Sequence, residues 1–431
     1  MRGFLAGMDT QVFSADPNPP TSAGLLRRVI AYVDVIPIAL MVAITFLFTV
    51  EVPMSDDWDF VPIIQKMKDG TLDWNTLDTP YGGHKIAVPY LVLGGIAIAT
   101  HWNTYVFRLV NLVLFIGAWM AIRPEAVRDR RLLAVSIFFW SWDQWVAWIW
   151  NTPMCCTMAV VCVLWSLRLL KSGSALNFLP AMLLAITGTF CHGTGVAVWP
   201  AAAYLIYFTP RPWAQKLAFA AILLFTAYLF LQRPAVPVAY APDPTKTLVD
   251  AGTGKSYLAM PVFMLRTMGA PAGFLRMENS AIVSAIGLLM LLLGGTWEKF
   301  RTRPFIGAVL LAGLSMMGLV MVARGGGSFA GQATDSRYGT MAVLFWVAII
   351  MLVEWKGWKS YVLVLLLGLC ILRSVTRLPE ILRYKREEEV GARGLRAWTP
   401  ERFLLSGAHT PEAQLDEDQQ LIRDWHYSLF R

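Results

Sequence analysis

The chain has 431 residues, of which 56% are hydrophobic and 15% charged, with a formal net charge of +8. An ordinary soluble domain carries roughly a quarter charged residues, and single water-soluble cores stop growing near ~250–300 residues, so this composition excludes one soluble globular core. The basic residues recur in small clusters between apolar runs instead of lining one face among exposed aromatics, which excludes nucleic acid as the natural partner and points to lipid.

In chain order, residues 1–28 read as a polar cytoplasmic N-terminal segment ending in Arg27 and Arg28. The apolar run Val29–Val50 then predicts an uncleaved signal anchor with its N-terminus inside. Further apolar runs long enough, or nearly so, to cross a bilayer lie near 104–122, 131–149, 155–171, 175–191, 194–208, 214–231, 279–296, 304–323, 339–354 and 360–377. The expected fold is therefore an all-α polytopic membrane protein with about 11 transmembrane helices over 29–378. The run 86–101 reads as an interfacial helix, because that choice leaves every short loop with two or more Lys or Arg on the cytoplasmic side. The outer face then receives a first loop 51–103, a second loop 232–278 and a C-terminal tail 379–431. Within the first loop, Phe60–Lys68 reads as amphipathic and able to lie along the membrane surface.

The polar residues that stand out fall on that face. Ser55-Asp56-Asp57-Trp58-Asp59 follows the first span directly, and three carboxylates so close to lipid need solvation, pairing or a metal. Gly82-Gly83-His84-Lys85 closes the same loop, offering close backbone approach and a cation suited to phosphate. Arg108 lies one turn into the next span, and Asp143 sits among five tryptophans (Trp140, Trp142, Trp145, Trp148 and Trp150) at the end of the following one. An aromatic belt accounts for some of these; aromatic faces also stack on sugars, so Asp143, Trp148, Asn151 and His192 form a possible substrate groove. Arg324 and Arg337 flank a glycine-rich loop and can clamp an anionic head group, with Tyr338 adding a hydrogen bond. The five cysteines show no zinc-site spacing and read as apolar packing residues, so neither a metal nor another cofactor is expected. Gly252-Thr253-Gly254-Lys255-Ser256 lacks the first glycine of a phosphate-binding P-loop, Val249 standing there.

Together these residues resemble the C-type (GT-C) membrane glycosyltransferases that use polyprenyl-phosphate-linked sugars, a superfamily that includes protein mannosyltransferases and aminoarabinose transferases. Ser55-Asp56-Asp57-Trp58 stands where that family carries its acidic motif, although the pair here is Asp-Asp and not Asp-Glu. Lys85 matches a Lys before an apolar juxtamembrane helix, Arg108 an Arg opening the second span, and Asp335-Ser336-Arg337-Tyr338 a late Ser-Arg-Tyr element. The resemblance covers roughly 29–210 and the element near 337.

It implies a transferase of the bacterial inner membrane, its active face periplasmic, working in cell-envelope polysaccharide biosynthesis. Its donor would be a polyprenyl-phosphate sugar and its acceptor a glycan, lipid or protein, with inversion at the sugar. Asp57 or Asp56 would act as base. Lys85, His84, Arg108, Arg324, Arg337 and Tyr338 would hold the donor phosphate. The alternatives are a lipid-linked glycan transporter or flippase, and a glycan polymerase or ligase. The scarcity of mid-span charges and the lack of an internal repeat weigh against the transporter.

Overall fold

Backbone amides and carbonyls in hydrocarbon must satisfy one another, which leaves a helix as the open choice for each apolar run. In the computed structural model, residues 32–79, 84–129, 131–232, 259–273, 277–294, 297–324, 336–405, 412–427 and 430 are described, and among them the regular structure is helical throughout. The segment 1–28 and most of the second loop, with its P-loop-like stretch, lie outside the described residues.

Each apolar run carries a helix. The first is α1 (Val35–Phe48), and the first loop holds α2 (Val61–Lys68), α3 (Trp74–Asp78) and α4 (Ala87–Thr100). Then come α5 (Thr104–Arg128), α6 (Leu132–Phe139), α7 (Trp145–Ile149), α8 (Met154–Lys171), α9 (Phe178–Thr189), α10 (Val198–Phe208) and α11 (Trp213–Leu231). The second half contains α12 (Ala259–Gly269), α13 (Met277–Gly294), α14 (Trp297–Thr302), α15 (Pro304–Arg324), α16 (Ser336–Leu352), α17 (Trp358–Thr376), α18 (Leu378–Ala397) and α19 (Glu412–Asp424). Among the described residues, six stretches are long and apolar enough to cross a membrane, and six shorter apolar helices accompany them.

Two of these runs depart from simple spans. The run 131–149 is interrupted: α6 stops at Phe139, Ser141 caps a short 3-10 turn over Trp142–Gln144, and α7 resumes beyond it. Such a break is stable at membrane depth only when wrapped in protein, and Trp140, Trp145 and Trp148 are indeed buried. In the first run the described helix starts at Val35, and just before it buried Asp34 accepts hydrogen bonds from Trp119 Nε1 (2.9 Å) and Arg123 Nε (2.7 Å).

The polar contacts sort to two ends of the bundle. At one end, Glu125 pairs with Arg168 and Lys171, and Asp129 with Arg303. There too Lys299 meets Glu354, while Arg131 and Arg211 donate to the carbonyls of Ile350 and Leu170. All the basic clusters assigned to cytoplasmic loops except Lys356/Lys359 enter this web through a member, and Lys359 donates to Leu293 O beside it. At the other end lie the acidic loop, the turn at Asn151 and the C-terminal tail. Arg108 and Glu125 mark the two ends on one helix, about 25 Å apart at 1.5 Å per residue.

The tail clasps the acidic loop. Helix α18 is charged and amphipathic, unlike the apolar α17 before it. A Cβ on Gly394 would sit 2.5 Å from Arg402 N, so the glycine lets the turn Pro400–Leu405 fold back onto α18. The Leu405 carbonyl then accepts from Ser55 N (2.8 Å) and Trp58 Nε1 (3.0 Å). Helix α19 packs on α2, and Lys68 lies over the rings of Trp425 and Tyr427.

Burial lifts the Asp418 carboxyl on α19 to about 8, and Asp59 and Glu417 add to the effect. A raised folded-state value means that folding takes up a proton, so tail docking weakens as pH rises from about 4 to about 8. Hydrogen exchange over 412–424, corrected for intrinsic rate, is expected to show greater protection at pH 5 than at pH 8. Asp418→Asn should flatten that difference; an unchanged slope in the variant would assign it to another group.

Candidate functional site

The site grows from a strained turn. Ser55 adopts φ +48°, in the left-handed region that side chains with a Cβ avoid, and the tail holds it there through the Leu405 carbonyl. The turn swings Asp57 inward until it is 1% exposed. Both of its oxygens are met: Oδ2 accepts from Met54 N (3.1 Å) and Asn151 Nδ2 (2.9 Å), and Oδ1 from Thr152 N (2.9 Å) and Thr152 Oγ1 (2.7 Å). Four donors suit an ionised carboxylate, which only accepts. Burial still pushes Asp57 above its ordinary value, with the Arg108 charge and the hydrogen bonds opposing that rise.

Asn151 is the bridge. Its carbonyl oxygen accepts from Arg108 Nη1 at 2.6 Å while its amide donates to Asp57. Arg108 is itself 1% exposed, and its Nε has no hydrogen-bond partner. Pro153 is the N-cap residue of α8, so Asn151 and Thr152 lie in the turn just before that helix, opposite the acidic loop. A small pocket beside them is lined by Asp57, Asn151, Phe60, Ile64, Leu93, Trp102 and Phe107.

Two further members come from α18, at positions the sequence did not single out. Tyr384 and Glu388, four residues apart and so on one helix face, interact electrostatically with Arg108 and Asp57. Tyr384 packs against the rings of Trp145 and Trp150. Neither Tyr384 Oη nor Glu388 Oε1 has a hydrogen-bond partner. Burial drives Glu388 well above its ordinary value; Arg108 opposes this and Asp57 reinforces it. Two buried carboxyls thus share one buried guanidinium, and Asp57 holds the donors. Burial and the neighbouring Asp57 both favour the protonated form of Glu388. The only sequence signal for these residues was their spacing within an amphipathic tail.

The remaining candidates are distributed differently. Asp56 is half-buried beside Asp57, accepting from Ser55 Oγ at 3.2 Å. Lys85 is buried and its ammonium serves Asp78 Oδ1 (2.6 Å), Gln232 O (2.6 Å) and Leu229 O (3.2 Å). Those contacts tie the first loop to the end of α11 and do not bring Lys85 to Asp57. Asp143 is fully buried and pairs with Arg373 (3.1 Å) and Arg377 (2.7 Å), anchoring the junction of α17 and α18. Trp148 packs edge-on to Phe115 in the core. Tyr338 is buried among core residues of α16, and the side chains of Arg324 and Arg337 lie outside the described residues. His84 and His192 stack on each other, ring centroids 4.2 Å apart, next to Cys155 and Cys156.

The arrangement therefore unites Asp57, Arg108 and Asn151 with Glu388 and Tyr384 at the end where an apolar bundle meets its polar cap. Comparisons with protein-family models, curated proteins and solved structures returned no match for this chain.

Asn151→Ala would leave Asp57 and Arg108 facing each other without their bridge. Its expected cost is about 2–3 kcal/mol, from the ~1.5–3 kcal/mol typical of a hydrogen bond to a charged group. Thermal unfolding of the detergent-solubilised protein measures it, and an unchanged midpoint would show that the bridge contributes nothing.

Proposed function

We propose that this chain is a GT-C-like glycosyltransferase that moves a sugar from a polyprenyl-phosphate donor to a glycan, lipid or protein acceptor at the outer face of the bacterial inner membrane. The observation that carries the reading is the buried Arg108, its Nε unpartnered, joined through Asn151 to the carboxylate of the acidic loop. A phosphodiester leaving group gains negative charge as the glycosidic bond breaks, and a preorganised guanidinium in a dry site stabilises that charge. The attacking hydroxyl must lose a proton to a carboxylate. Asp57 spends both oxygens on four donors and positions Asn151 and Arg108. Asp56, half-buried beside it in the same acidic motif, takes the role of base in this reading. Glu388, protonated beside Arg108, has a proton to share with a phosphate oxygen.

The reading is tested with purified protein and a panel of polyprenyl-phosphate sugars. Asp56→Asn should lower turnover by about 10²–10⁴, the usual worth of a general base. Arg108→Ala should lower turnover and raise the donor KM. Full activity in Asp56→Asn would remove the proposed base.

A second reading, movement of a lipid-linked glycan without covalent change, draws on the interrupted helix between Phe139 and Trp145, since broken helices mark the binding sites of many transporters. Flux in proteoliposomes with no covalent product would favour it. Transfer of a whole oligosaccharide would instead favour a polymerase or ligase.

A further inference from the structure

A second polar cluster lies behind the acidic-loop network and takes no part in it. Helix α8 opens with Met154-Cys155-Cys156, and the two sulfurs stand 4.0 Å apart. The turn after α9 brings His192 against them. One ligand atom from each of Cys155, Cys156 and His192 lies within 4.8 Å of the others, and all three residues are buried. A Cβ on Gly193 would sit 2.5 Å from His84 Nδ1, so the glycine lets the His84 ring come close to His192, its ring centroid 4.2 Å away.

We infer that Cys155, Cys156 and His192 bind one thiophilic divalent cation of the zinc class, with a fourth coordination position left open. The inference does not rest on the sugar-transfer reading. Two thiols and an imidazole form a soft donor set that suits zinc and not magnesium or calcium. The spacing agrees: two sulfurs each about 2.3 Å from a tetrahedral zinc lie about 3.8 Å apart, close to the separation seen here. Thr194 Oγ1 lies 2.8 Å from His192 Nδ1. The Thr194 amide donates to the same nitrogen at 3.3 Å, so Thr194 fixes the orientation of the His192 ring, as an outer-shell partner of a metal ligand commonly does.

Charge selects the valence. Binding a divalent ion displaces one proton from each thiol, so two positive charges leave as two protons and the buried complex with neutral His192 is uncharged. A monovalent cation on the same two thiolates would leave a net negative charge in an apolar interior, which is costly. A disulfide between the neighbouring cysteines would need a two-electron oxidant and sulfurs near 2.05 Å apart, and the structure offers neither. Bound metal would lock the first turn of α8, immediately after Asn151 and Thr152, to the turn at His192. The cation thus braces the backbone that holds Asp57.

Full-length protein purified in detergent with reductant, then stripped with chelator, is titrated with Co²⁺ as a spectroscopic stand-in for Zn²⁺. The expected result is a thiolate-to-cobalt charge-transfer band that saturates at about one equivalent and is displaced by Zn²⁺. The Cys155→Ser/Cys156→Ser double variant should lose the band, His192→Ala should weaken binding at least tenfold, and Cys370→Ser should leave it intact. Where a variant fails to elute as a single species, alkylation of the wild type replaces it: Zn²⁺, and not Mg²⁺, should protect Cys155 and Cys156. Three outcomes would overturn the inference. These are no band and no protection in the wild type, a band retained in the folded double variant, or tight binding of Cu⁺ with none of Co²⁺ or Zn²⁺.

Discussion

A carboxylate taken out of water at a bilayer surface must be given partners, and meeting that need for Asp57 organises the polar end of this protein. Its four hydrogen bonds come from the acidic loop itself and from the turn before α8. Asn151 then hands the interaction on to Arg108, and the pair of charges draws in Tyr384 and Glu388 from the tail. Removing water from such groups costs several kcal/mol each unless they are compensated. The loop, the α5–α8 bundle and the tail therefore depend on one another for their conformation.

The same economy appears at the opposite end in a plainer form. There Glu125 pairs with Arg168 and Lys171, Asp129 with Arg303, and Asp34 with Arg123. Those ion pairs knit loops that are far apart in sequence, yet they lie where head groups and water share the electrostatic load. Between the two ends apolar and aromatic contacts predominate. The bundle thus has a charged girdle at one side and a buried, incompletely partnered network at the other. Incomplete pairing in a dry site is what separates a candidate reaction centre from a structural one.

Much of the helical layout was open to reading from hydropathy, because lipid imposes one rule on every span. Each predicted apolar run carries a helix, and the loops rich in Lys and Arg do gather at one end. The acidic loop was conspicuous because three carboxylates after an apolar run are improbable without a role. What escaped was everything that depends on contact. Asp143 looked like a groove residue but meets Arg373 and Arg377; Lys85 looked free for phosphate but holds Asp78 and the end of α11. Glu388 was one acid among several in a charged tail, and its burial against Arg108 follows only from how α18 folds back.

The sequence by itself determined that this chain belongs in a membrane, where its helices run, and which segment carries its acidic motif. Those properties are sums over local residues: hydropathy, length and charge bias. Tertiary structure decided which polar groups share a site. The partners Asp57, Arg108, Asn151 and Glu388 come from separate segments, as do the sulfurs of Cys155 and Cys156 and the ring of His192. The pairing of distant groups is set by helix packing and by the cost of leaving a buried charge alone, and no local pattern records either.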